Sequence, residues 1–83
     1  MQNGKIIAIN PKRGMFIVEI EGGHGDYATF ELLDSIDIAI GDSVRGDLDA
    51  LGGEDLLHVN QARTFSVYGQ SGPSSLSACK RLL

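Results

Sequence analysis

Residues 4–20, GKIIAINPKRGMFIVEI, hold two apolar runs separated by the basic turn NPKRG. The first run, residues 5–10, is rich in β-branched side chains and stops where Asn10 and Pro11 start a turn that Gly14 closes, so the stretch predicts a hairpin. In residues 15–21 the side chains alternate. Phe16, Val18 and Ile20 share one face, and Met15, Ile17, Glu19 and Glu21 the other. The segment GGHGD then offers three glycines to a tip, with His24 as an exposed turn residue. Beyond it Ala28, Phe30 and Leu32 face one way and Tyr27, Thr29 and Glu31 the other, which predicts a third strand.

Further along, residues 34–40 (DSIDIAI) predict an irregular crossing with one turn of helix. A fourth strand is expected over residues 43–48, with GGED ending its hairpin. Residues 56–70 supply a fifth strand, with Asn60 and Gln61 marking where it can break in two. Five short strands with glycine-rich turns point to an all-β fold, a small closed barrel, because closure removes sheet edges that such strands would otherwise expose. A five-stranded OB-like Greek-key barrel over residues 1–69 is the leading architecture and an SH3-like barrel the second. Residues 70–83 read as a flexible connector and a short C-terminal helix. That helix would start at Pro73 or a nearby serine, carry Leu76, Cys79, Leu82 and Leu83 as its apolar stripe, and end with Lys80 and Arg81 near its negative pole. A helix so short is marginal alone, so it either docks on the barrel or a partner, or stays disordered.

With 83 residues the chain makes one domain, near the small end of what buries an adequate core without metal or disulfide support. Its single cysteine, Cys79, excludes an internal disulfide and fits a reduced, intracellular protein. No apolar run reaches the roughly 18 residues of a membrane span. The first residues, MQNGKIIAIN, lack the parts of a signal peptide, so a cytoplasmic location is expected. The net charge is −4, unevenly spread. Residues 1–18 carry Lys5, Lys12 and Arg13 with no acid, residues 19–55 carry all 11 acids against Arg45 alone, and residues 56–83 carry Arg63, Lys80 and Arg81. The acidic middle repels phosphate, whereas nucleic-acid-binding domains usually present a basic face.

In order and spacing, the motifs over roughly residues 4–62 resemble the cold-shock domain family, a five-stranded OB fold. GKIIAIN stands where the family has G-x-V-K-W-F-N, RGMFIV where it has K-G-F-G-F-I, YATFELL in the place of V-F-V-H-F, and IAIGDSVRG at the entry to strand four. The resemblance implies weak binding of single-stranded RNA or DNA. Family members stack bases on outward aromatics, each stack worth about 1–3 kcal/mol. Here those aromatic positions fall on Ala8, Ile9, Met15, Ile17, Thr29, Glu31 and Leu32, so the stacking platform is missing. Gly4, Asn10, Arg13 and Gly14 do match.

Two functions follow. In the first, Lys5, Lys12 and Arg13, an apolar patch of Met15 and Ile17, and Tyr27 form a weak nucleic-acid surface. In the second, Met15, Ile17 and their apolar neighbours pack against a protein partner or a second copy, which suits their chemistry better than a polyanion does. Lys12 and Arg13 also fit an ordinary solvated turn, and Tyr27 and Tyr68 fit cross-strand partners. No catalytic set emerges: the glycine segments lack a P-loop lysine, the acids lack EF-hand spacing, and Cys79 has no local histidine. The expectation is a non-enzyme without cofactor or metal, in which His58 occupies a strand edge or a satisfied core position.

Overall fold

The computed structural model describes residues 1–22 and 25–83. Gly23 and His24, on which the exposed-histidine expectation falls, lie outside the described residues. Six strands form the fold: β1 (Gln2–Asn10), β2 (Met15–Ile20), β3 (Tyr27–Leu32), β4 (Ser43–Gly46), β5 (Gly52–His58) and β6 (Arg63–Gly69). A helix, α1 (Leu76–Leu82), follows. They close into an antiparallel barrel in the order β1-β2-β3-β6-β5-β4, with β4 returning to β1. The closed all-β barrel is therefore present, with six strands in place of the five expected. The extra strand arises where the fifth could break: Val59 to Ala62 form a tight turn, Ala62 at φ 51°, and β5 pairs with β6 from Gly52↔Gly69 to His58↔Arg63.

The alternation in the sequence sets which side chains fill the barrel. Phe16, Val18, Ile20, Ala28 and Phe30 enter a core shared with Ile6, Val44, Leu48, Leu56, Phe65 and Val67. Phe16 stacks on Phe30 at 5.7 Å between ring centroids, a separation typical of aromatic pairs. A register shift between Ile6 and Ala8 turns Ile9 inward, opposite Phe16, and leaves Ala8 outward, opposite Ile17.

Two local expectations are corrected. Residues 34–40 contain no helical turn. Instead Ile36 and Ile38 cover one end of the core, while side chains from the β5–β6 turn and the start of β6 satisfy the loop backbone: Gln61 Nε2 donates to the Asp37 carbonyl and Arg63 to the Ser35 carbonyl. Also, GGED begins β5 rather than ending a hairpin. The turn is formed earlier, by residues 47–51, which lie so close to β6 that a Cβ on Gly69 would stand 2.1 Å from the Ala50 carbonyl oxygen. Only glycine fits there.

Gly4 has a similar packing reason. A Cβ at that position would meet Val18 Cγ1 at 2.3 Å.

Candidate interaction surfaces

The outer face of β1, β2 and β3 is where the sequence placed a binding surface, and the chain itself covers part of it. From Gly69 the backbone turns across β3. Gln70 donates to the Thr29 carbonyl, Ser71 Oγ accepts from the Thr29 N–H, and Ser74 exchanges both backbone bonds with Tyr27. Ser75 then caps α1, its side chain accepting from the Ala78 N–H, and Lys80 and Arg81 occupy the last turn. Thr29 Oγ1 donates to the Cys79 carbonyl at 3.3 Å, and Asn10 Nδ2 donates to the Leu83 carbonyl at 2.8 Å. The helix is thus tied to β3 at its middle and to the β1–β2 turn at its end.

Ile17 stands across from Thr29 on β2 and points away from the barrel core, yet its exposure is 0%, as are those of Thr29 and Cys79. An outward side chain with no exposure must be covered by the element lying on that face, which here is α1. Met15, on the same face, is also buried. Both residues were expected to form an exposed apolar patch; this is corrected, because Ile17 is covered by the chain's own C-terminal segment and Met15 is only 5% exposed.

The other candidate residues are dispersed. Lys5 is exposed on β1, opposite Glu19, far along the strand from the turn. Tyr27 also pairs with Glu19 and donates its hydroxyl to Glu19 Oε2 at 3.2 Å. Partial burial and the neighbouring Glu19 carboxylate push its phenol pKa up from the ordinary value. Lys12 and Arg13 remain exposed in the β1–β2 turn, where Asn10 Oδ1 accepts from the Lys12 N–H.

Two features were not foreseen. The Asn10–Leu83 bond brings Lys80 and Arg81 to the same end of the molecule as Lys12 and Arg13, and among the described residues none of the four is in an ion pair. In sequence these pairs lie at opposite ends of the chain, so only the tertiary contact unites them. The second is a part-buried hydrogen-bonded pair. His58, 1% exposed, meets Asp42 Oδ2 through Nε2 at 2.7 Å, and its Nδ1 accepts from the Gln61 N–H. With Nδ1 accepting, Nε2 carries the proton of a neutral ring and donates to an ionised Asp42. Asp42 Oδ2 also accepts from the Ala39 N–H. The hydrogen bond from His58, aided by that backbone bond, holds the Asp42 carboxyl below its ordinary value of 3.8 against the opposing effect of burial. The pair ties the loop before β4 to the β5–β6 turn, and both ring nitrogens are occupied in doing so. No cluster of metal-ligating side chains occurs among the described residues, and no helix is long and apolar enough to cross a membrane.

Comparison with family models, curated proteins and solved structures finds no match.

Proposed function

We propose that this chain is a non-catalytic protein-interaction barrel, built on a scaffold of cold-shock-like OB type that no longer uses the family's nucleic-acid face. One observation carries the reading: the middle of the outer face of β2 and β3 is covered by α1, with Ile17, Thr29 and Cys79 fully buried beneath or within the contact. The one outward aromatic of β1–β3 among the described residues, Tyr27, is half-buried with its hydroxyl bonded to Glu19, and Glu19 and Glu31 add carboxylates on the outward side of β2 and β3. Support for the scaffold comes from the β1-β2-β3 meander and from β1 pairing with both β2 and β4. The engagement of both His58 nitrogens in structural bonds supports the absence of catalysis.

A second reading rests on the basic group of Lys12, Arg13, Lys80 and Arg81. Four exposed cations at one end would give weak, salt-sensitive contact with a single-stranded RNA or DNA backbone, without sequence preference. Fluorescence anisotropy of a labelled mixed-sequence oligonucleotide, titrated at two salt concentrations, separates the two. The protein-interaction reading expects no binding at about 100 μM in low salt, where a non-specific nucleic-acid binder is still occupied. Micromolar binding that falls steeply with salt and disappears in Lys12→Glu/Arg13→Glu would overturn it.

A further inference from the structure

The uneven charge of the sequence becomes a spatial polarity. β1 runs the length of the barrel, about 26 Å from Gln2 to Asn10 at strand rise, against a longest dimension of 28 Å. At the Gln2 end lie the β2–β3 connection, with Glu21 and Asp26, and the 47–55 segment, with Asp47, Asp49, Glu54 and Asp55. The Glu21 N–H donating to the Asn3 carbonyl and the Gln2 amide donating to Asp49 fix this grouping. At the Asn10 end stand Lys12, Arg13, Lys80 and Arg81.

Each end also carries apolar surface of a complementary kind. Leu51 projects from the acidic segment with 70% exposure, one of the most exposed large hydrophobic side chains. At the basic end a cleft of about 230 Å³ opens between Ile9, Pro11, Met15, Leu32, Ile36 and Ile38. Pro11 and Gly14 both line it, so Lys12 and Arg13 stand on its rim. The volume is below the roughly 300–1,000 Å³ of small-molecule sites and suits a single aliphatic side chain. A protruding leucine on the acidic 47–55 segment and an apolar cleft beside Lys12 and Arg13 are matched in shape class and opposite in net charge.

We propose that copies of this chain associate head to tail, Leu51 of one entering the Ile9–Pro11–Leu32–Ile38 cleft of the next, with its carboxylates facing Lys12 and Arg13. This rests on the protein-interaction reading and names a second copy as the partner. The contact is heterologous, so every assembly keeps one free end of each kind and association grows stepwise. Exposed charges contribute much of the attraction, which makes the association weak and salt-dependent. Asp37 sits on the cleft's lining as a like charge to the incoming carboxylates and opposes it.

Sedimentation equilibrium of the full chain, from micromolar to about 1 mM in low salt, provides the test. The mass average is expected to rise with concentration above the 8.9 kDa monomer, and to rise further in Asp37→Asn. Leu51→Asp and Lys12→Glu/Arg13→Glu change exposed side chains, and each is expected to return the mass to the monomer value while thermal unfolding stays cooperative. An equimolar mixture of these two variants retains one intact joint and is expected to stop at a pair. A wild-type mass of 8.9 kDa throughout, association unaffected by Leu51→Asp, or a monomeric mixture beside an associating wild type would each overturn the head-to-tail contact. None of these outcomes supplies oligonucleotide binding, so the broader protein-interaction reading fails only by the anisotropy result.

Discussion

The two halves of the barrel, β1–β3 and β4–β6, are both three-stranded meanders that send one set of side chains into a common core. Their outer faces differ. On β1–β3 the outward positions include Ile17 and Thr29, both buried under the C-terminal segment. On β4–β6 Arg45, Asp55, Thr64, Ser66 and Tyr68 stay exposed to water. Inward faces are alike because both halves line one core; outward faces differ because one half carries apolar residues that need a cover. The chain supplies that cover itself. A face that looks like a ligand platform in the alternation of a strand is here an internal packing surface.

The largest effect should come from placing a charge under the cover. Ile17→Asp buries a carboxylate with no partner, a change expected to cost about 3–4 kcal/mol in chemical denaturation or to detach α1. Thr64→Asp, outward on the bare half, should stay within about 0.5 kcal/mol. Equal costs for the two would erase the distinction between the halves. Next in size is Gly69→Ala, where the new methyl meets the Ala50 carbonyl oxygen. A loss of about 2–3 kcal/mol is expected, whereas Gly53→Ala, open on the same pair of strands, should change unfolding midpoints little.

Asp42→Ala tests the closure of the bare half onto β1. Removing the acceptor leaves the buried His58 Nε2–H unpaired, a cost of about 1–3 kcal/mol near neutrality. The Asp42 carboxyl is held below its ordinary 3.8 in the folded protein. Its stabilising contribution is therefore present above that value and is lost as pH falls through the lower folded one. The stability gap between wild type and Asp42→Ala, measured by urea unfolding, should accordingly narrow as pH is lowered below about 4. A gap that widened on acidification would contradict the assigned charge state. The smallest effect belongs to Asn10→Ala, which removes the bond to the Leu83 carbonyl and the cap on Lys12. About 1 kcal/mol is expected, concentrated in release of α1 and visible as faster modification of Cys79.

Much of the barrel was legible in the first thirty or so residues. Period-two alternation in Phe16, Val18 and Ile20, and again in Ala28, Phe30 and Leu32, reports a half-buried strand directly. The second half was harder to read because its signals conflict. Gly52 and Gly53 have turn chemistry but pair as strand residues, since the tight passage at Gly69 brings residues 47–51 against β6. Asn60 and Gln61 marked the β5–β6 turn, and with it the sixth strand. At the candidate surface, alternation correctly placed Met15 and Ile17 outward, but alternation is a local property. It carries no information about a helix some sixty residues later in the chain. The same holds for Lys80 and Arg81 joining Lys12 and Arg13, and for Asp42 meeting His58.

Cys79 offers the most direct measurement of the central claim, because it lies in the contact that covers the middle of the β2–β3 outer face and is the chain's only thiol. Its rate of modification by a thiol reagent under native conditions should be at least about 100-fold slower than that of an unfolded peptide of residues 70–83, with α1 opening as the limiting event. Modification of the folded protein at the free-peptide rate would mean that α1 does not cover this face, and that the face is open to a ligand.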